Sequence, residues 1–367
     1  MRTRFDNLDS IRTLSFFGVF LAHAFSSKEE SIINNPFYKI ADHFRELFNF
    51  GVPVFFVLSG FLISYLMLKE QESPTSFSIK NFYIRRILRI WPVFFIVIGF
   101  GFIVFPILRT LILGLPNIET ANPIKYVFFL SNLDQIKINQ LPYGVGLGPT
   151  WSVSVEEQFY LIWPIFLLLF PKRKFIIPIL ILMGVSITTA PVFELSSKHT
   201  LFCFIYLTSG ALFAYLSFYY HALIKKIVAV NPIWFIVSVI LIGTLIQYGL
   251  NNRFYFLIIW LIALLIGYSI VFQCFSGRLN LKRIPVIENI GKYTYGLYLY
   301  HSICIFFVHS FMFDLLNVDE TALNVVIVGP VLSLMLSLIV SIFSYEIMEK
   351  KLLKLKDKFS TALDFSH

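Results

Sequence analysis

Arg12 and His23 lie in the first apolar stretch of the chain, eleven residues apart. At about 100° per residue, eleven helical steps return to within about 20° of the starting azimuth, so guanidinium and imidazole share one helix face about 16 Å apart along the axis. Imidazole is the side chain best suited to moving a proton near neutral pH. An ionisable pair inside an apolar helix is costly unless it faces a cavity or a partner, so the spacing points to acid–base or nucleophilic chemistry at His23, with Arg12 nearby. Asp9, one turn before Arg12, joins the candidates.

A second group is Glu156 and Glu157, in Thr150-Trp-Ser-Val-Ser-Val-Glu-Glu-Gln-Phe-Tyr-Leu-Ile-Trp-Pro164 at the start of another apolar run. Ser154 to Glu157 fits a capping box, which would place the carboxylates there for helix-dipole reasons alone. Glu156 fits that reading less well, because Ser152, Glu156, Tyr160 and Trp163 would make one polar and aromatic stripe along the helix. A third group is His301, with Tyr298 three residues before it, for which a structural alternative is an imidazole hydrogen-bonded to a neighbouring helix. Counted inward at about 1.5 Å per residue, His23, Glu156 and His301 reach similar depths, about 16–21 Å from one membrane boundary. They are expected to line one polar cavity, with Glu156 orienting His23 as a carboxylate does in a catalytic triad, and with an outer opening bounded by residues 109–150.

Arg85, Arg86 and Arg89 stand at the other end of a span. Anchoring by positive charge and contact with lipid phosphate would explain them. Their guanidinium forks also suit the phosphates of a soluble cofactor.

The elements that must position these groups are membrane helices. Of 367 residues, 57% are hydrophobic and 14% charged. The apolar residues gather in ten runs, at about 10–26, 47–68, 86–108, 152–170, 175–192, 200–218, 232–250, 254–274, 290–313 and 324–348, each near the length that crosses a bilayer. The expected fold is an all-α polytopic membrane helix bundle of about ten transmembrane helices. With both termini in the cytoplasm, most of the 30 Lys and Arg fall in cytoplasmic segments, among them Arg85, Arg86 and Arg89, Lys172 to Lys174, Arg278 to Arg283 and the Lys350 to Lys358 tail. The net charge of +9 then reflects orientation, and no nucleic-acid partner is implied. Cys203, Cys274 and Cys304 all fall in spans and form no disulfide or metal-ligand spacing. The stretch 109–150, rich in Pro and Gly, is the one long connection, and long ordered loops are usually functional.

Taken together, Leu8-Asp-Ser-Ile-Arg12 with His23, Phe55-Phe-Val-Leu-Ser-Gly-Phe-Leu-Ile63, Arg85-Arg-Ile-Leu-Arg-Ile-Trp-Pro92, the Trp151 to Pro164 run, Tyr298-Leu-Tyr-His301 and Ser344-Tyr-Glu-Ile-Met-Glu349 resemble the acyltransferase-3 family of membrane O-acyltransferases. The order of the motifs is that of the family, and they span nearly the whole chain. The Phe55 run taken alone reads equally well as small-residue helix packing. The resemblance implies transfer of an acyl group, commonly acetyl, from cytoplasmic acyl-CoA to a hydroxyl of an extracytoplasmic carbohydrate or lipid-linked glycan. It implies His23, Glu156 and Arg12 as catalytic residues and Arg85, Arg86 and Arg89 as binders of CoA phosphates. Asp9, Glu157, Tyr160, Tyr298 and His301 are further site candidates, no metal is implied, and acyl-CoA is a substrate rather than a resident cofactor. The chain departs from the family in Asp9-Ser-Ile-Arg12, where Asp-Gly-Leu-Arg is frequent, and in Leu299-Tyr-His301-Ser302, where Leu-Trp-His-Trp is.

Residues 1–350 are expected to form the integral-membrane acyltransferase domain of a bacterial-type inner (plasma) membrane, and 351–367 a short basic cytoplasmic tail. No fused soluble domain is expected, so a separate extracytoplasmic partner would supply any further step. Two other classes use the same residue types: a proton-coupled secondary transporter, and a non-catalytic component of a glycan-export system. No inverted repeat is visible, and consumption of acyl-CoA separates the three.

Overall fold

A computed structural model of the chain describes residues 5, 7–72, 77–114, 116, 118–170, 172–249, 255–278, 281 and 284–359. Arg2, Arg4, Arg253, Lys282 and Arg283, used in the orientation argument, and the tail beyond 359 lie outside the described residues.

Helices are the only regular secondary structure among the described residues, which contain no strand. The first helix, α1, runs Leu8–His23 and α2 Pro36–Leu47. The long helices α3 (Gly51–Gln71) and α4 (Ile79–Leu111) follow. Two short helices, α5 (Pro123–Val127) and α6 (Ser131–Ile138), lie within the long connection before α7 (Thr150–Leu169). Then come α8 (Ile176–Val192), α9 (Thr200–Tyr219), α10 (His221–Ala229), α11 (Ile233–Gly249) and α12 (Tyr255–Phe275). The chain closes with α13 (Pro285–Leu315) and α14 (Asn324–Leu355).

All ten expected apolar runs are helical, but they do not give ten equivalent spans. Eight helices are long and apolar enough to cross a membrane, and a ninth span arises if α10 and α11, bent by 86° at their junction, are taken together. The tenth run is α1, whose 16 residues reach about 24 Å, short of a ~30 Å hydrocarbon core. Outward faces carry large apolar side chains, such as Leu161, Leu168, Ile103 and Ile339, each about 60% exposed. That pattern matches a lipid-facing surface.

Three packing features hold the helices that carry the candidate residues. A Cβ at Gly60 of α3 would collide with the Leu207 carbonyl oxygen of α9, and one at Gly210 of α9 with the Val57 carbonyl oxygen of α3, so the two backbones touch. The start of α1 is gripped by the start of α13: Ser10 Oγ donates to Glu288 Oε2 at 2.8 Å and Thr13 Oγ1 to the Ile287 carbonyl at 2.7 Å, while Gly291 leaves room only for the Asp9 backbone. Aromatic side chains fill the interior, with Trp163 fully buried on Phe159, ring centroids 4.6 Å apart.

The long connection folds down as a cap on the start of α7. Gln135 Nε2 donates to the carbonyls of Leu147 (3.2 Å) and Gly148 (3.1 Å), and its Oε1 accepts from Lys198 Nζ at 2.9 Å. Buried Asp134 pairs with Lys125 at 2.8 Å and accepts from the Asn122 amide. Gln158 Nε2 of α7 donates to Asn132 Oδ1 and to the Phe129 carbonyl. Backbone groups that would otherwise be orphaned are thereby satisfied by side chains.

Candidate active site

Helix α7 starts at Thr150, two residues before the expected start, which places Ser154 and Glu157 one turn inside it. The capping-box reading therefore fails: Ser154 Oγ pairs with Ser131 Oγ at 2.7 Å, and Glu157 accepts from Trp91 Nε1 of α4 at 3.1 Å. The stripe expected along α7 does face inward. Tyr160 donates to Glu156 Oε2 at 3.1 Å and shares a short hydrogen bond with Ser59 of α3. Ser152 Oγ bonds Tyr298 OH of α13 at 2.6 Å, and Trp163 Nε1 donates to Ser64 Oγ at 2.8 Å. Ser59 and Ser64 sit in the run that also carries Gly60, so one helix face serves both close packing and polar contact.

Helices α1, α3, α4, α7 and α13 bound a cavity of about 190 Å³. Its polar lining is Arg12, Ser59, Arg86, Arg89, Ser152, Glu156, Tyr160, Thr294, Tyr295 and Tyr298; its apolar wall includes Phe55, Phe56, Leu62 and Ile90. A smaller space of about 60 Å³ adjoins it, sharing Ile63, Leu66, Arg86 and Arg89 and adding Glu70 and Arg85. One path thus runs from the arginine cluster to the Ser152–Tyr298 pair.

The three arginines do not behave alike. Arg85 is buried and tied to Glu70 Oε1 at 2.5 Å and to the Phe359 carbonyl at 2.9 Å. Arg86 lies over the rings of Phe82 and Tyr160, 5.6 and 5.7 Å from their centroids. Arg89, in the wall of both spaces, makes no hydrogen bond or ion pair among the described residues. Arg12 pairs with Asp9 at 2.8 Å and still lines the larger cavity.

The histidines are arranged differently from the expectation. Neither lines the cavity. His23 is the exposed last residue of α1, with Nδ1 2.7 Å from the Val19 carbonyl, and its ring meets that of His301 edge-to-face at 5.4 Å between centroids. His301 is fully buried, its Nδ1 2.6 Å from the Tyr298 carbonyl and its ring 6.0 Å from that of Tyr298. The order along this path is Glu156, Ser152 one turn away, Tyr298, His301 and His23. The hydrogen-bond partner of Glu156 is Tyr160, and Nδ1 of His23 is taken by a carbonyl of its own helix, so this arrangement does not have Glu156 orienting His23. Among the described residues, the 109–150 segment contributes none to the wall of this cavity; its polar groups cap α7.

Several residues missed in the sequence join the site, Thr294 and Tyr295 as part of the cavity wall. Ser59 and Trp91 bond Tyr160 and Glu157, Glu70 occupies Arg85, and Arg45 of α2 donates to the Ala22 carbonyl beside His23 at 3.2 Å. Glu70 alone carried a signal, as one of two acids, with Glu72, at the end of a span near a basic cluster.

The profile of an acyltransferase domain family matches residues 5–346. The chain belongs to this acyltransferase-3 family. A Staphylococcus aureus (strain COL) protein provisionally named an O-acetyltransferase is 30% identical over 297 residues, covering 72% of this chain and 47% of the relative. A peptidoglycan O-acetyltransferase of Listeria monocytogenes is 37% identical over 126 residues, covering 33% of this chain and 20% of its own. A Bacillus subtilis protein provisionally named a peptidoglycan O-acetyltransferase is 34% identical over 125 residues, 32% of this chain and 19% of its own. The chain spans about half the length of the first of these relatives. No solved structure matches it. Family and apolar helices together make this a multi-pass integral membrane protein.

Proposed function

We propose that the protein takes an acyl group, acetyl in the simplest case, from cytoplasmic acyl-CoA and places it on a hydroxyl of an extracytoplasmic carbohydrate of the peptidoglycan type. The observation that carries this reading is the continuous path from Arg86 and Arg89 to Ser152 and Tyr298. Guanidinium groups at one end suit the phosphates of CoA. Along the wall, Ser59, Tyr160 and Ser152 offer hydroxyls to the amides of the pantetheine arm, and the apolar side chains accept its methylenes. Arg85, already paired with Glu70, holds the mouth in shape, while Arg89 and Arg86 meet the donor.

Beyond the closed end of the path stands His23. The Val19 carbonyl is an acceptor only, so Nδ1 carries the ring hydrogen and Nε2 is the basic nitrogen. That nitrogen removes the proton of the acceptor hydroxyl as the oxygen attacks the acyl carbon. Reaching it from the cavity requires the Phe55–Tyr298 contact, centroids 5.8 Å apart, to part. Arg12, paired with Asp9, steers the donor along the wall.

The test is purified protein in lipid nanodiscs with radiolabelled acetyl-CoA and peptidoglycan fragments. Labelled ester on the glycan with release of CoA is expected. Movement of substrate across a vesicle membrane without acyl-CoA consumption would replace this reading with a transporter.

A further inference from the structure

His301 has an unusual property for a buried side chain. Its Nδ1 faces the Tyr298 carbonyl at 2.6 Å, so the hydrogen is on Nδ1 and Nε2 presents a lone pair. Nε2 is buried and has no hydrogen-bond partner among the described residues. A buried acceptor without a donor is costly, and in a native structure such an atom calls for a reason. His23 has the same tautomer for the same cause, its Nδ1 held by Val19. The two rings are 5.4 Å apart at an interplanar angle of 60°. A centroid separation of that size, less a ring radius on each side, is close to hydrogen-bond spacing, so once Nε2 of one ring is protonated a modest rotation brings it into an N–H···N contact with the bare Nε2 of the other. On its other side His301 touches Tyr298, whose hydroxyl bonds Ser152 in the cavity wall.

We infer that His301 is a proton-holding positioning residue: its Nε2 takes over, through His23, the proton removed from the acceptor hydroxyl, and gives it back for the leaving sulfur. The inference rests on the acyl-transfer reading above. His23 Nε2 takes the proton as the hydroxyl oxygen bonds the acyl carbon. With Nδ1 anchored to Val19, that single nitrogen must both remove and return the proton. Passing it to His301 Nε2 frees His23 and keeps the proton away from the new carbon–oxygen bond while the carbon–sulfur bond breaks. The proton then returns by way of His23 to the CoA thiolate, giving the ester and free thiol, with both imidazoles neutral again. His23, exposed, meets substrate; His301, enclosed by Phe16, His23 and Tyr298, does not.

The informative variant is His301→Gln, whose amide can accept a hydrogen bond but cannot carry a proton. The expected result is a fall in kcat of at least about tenfold, since positioned proton-transfer groups contribute about 10²–10⁴-fold, with KM for acyl-CoA unchanged. The solvent deuterium isotope effect on kcat should be larger for His301→Gln than for wild type, because without His301 the return of the proton to sulfur limits turnover. A His301→Gln protein with wild-type kcat, or with a lowered kcat and the wild-type isotope effect, overturns the inference; His301→Asn is judged in the same way if His301→Gln does not insert. His23→Ala keeps the two levels apart. An inactive His23→Ala beside a fully active His301→Gln sinks only the role of His301, whereas a fully active His23→Ala sinks the acyl-transfer assignment itself.

Discussion

Two polar clusters lie within one apolar bundle, and they are satisfied to very different degrees. In the cap over α7, the Gln135 side chain bonds two carbonyls, the Tyr126 hydroxyl and Lys198, and Asp134 pairs with Lys125 and an amide. Around the cavity and His23, among the described residues, Arg89 makes no hydrogen bond or ion pair and Nε2 of His301 has no hydrogen-bond partner. The satisfied cluster holds its own backbone in place. In the other, donors and acceptors are left over, and what they await comes from outside the chain. Buried polar groups normally find partners during folding. Between these two clusters, leftover hydrogen-bonding capacity, more than polarity, is the difference.

The largest effect should come from the chemical centre. Replacing His23 with Ala should lower turnover about 100-fold or more while the protein still inserts, measured as ester formed per mole of monodisperse enzyme. Residual turnover above a tenth of wild type would show the proton is handled elsewhere.

The cap should respond in stability and not in chemistry. Gln135→Ala strands two carbonyls and Lys198, at a cost of about 2 kcal/mol or more, while turnover of the folded fraction at low temperature stays near wild type. A lowered kcat at unchanged stability would erase the distinction between the clusters.

Arg89→Ala should weaken acyl-CoA binding about tenfold, as expected for loss of a charge-assisted contact, with Lys a poor substitute because it lacks the planar fork. Titrating CoA thioester against its phosphate-free pantetheine analogue sharpens the point. Equal losses for both ligands would mark Arg89 as a structural cation like Arg85.

The smallest effect concerns the end of the cap. His199 caps α9 by accepting the Leu201 amide at 3.2 Å, and burial holds its imidazole below the ordinary value of 6.5. A protonated ring cannot accept at that nitrogen, and the unfolded chain takes up the proton first. The stabilisation is therefore complete above pH 6.5 and is lost as pH falls below it. The expected loss is under about 1 kcal/mol, the range of a helix cap, read as faster hydrogen exchange of the Leu201 amide at pH 5.5 than at 7.5. Exchange independent of pH, after correction for intrinsic rates, would remove His199 as a cap.

Much of this was legible in the residues themselves. Hydrophobic run length dictated an all-helical membrane protein, because a bilayer leaves backbone polar groups no partner outside a helix. Period and spacing placed Ser152, Glu156 and Tyr160 on one face of α7, and all three line the cavity. Helical geometry is local, and local geometry can be counted along a chain. Which face of one helix meets which face of another is set by packing, and depth along an axis does not contain it. Similar depth suggested that His23, Glu156 and His301 share one space; packing interposed Tyr298 and paired the two imidazoles with each other. The same limit hid Glu70 as the partner of Arg85, fifteen residues away on the next helix, and Ser59 as the partner of Tyr160. Residue type and period decided what each side chain could do, whereas only the crossing of helices at Gly60, Gly210 and Gly291 decided which of them met.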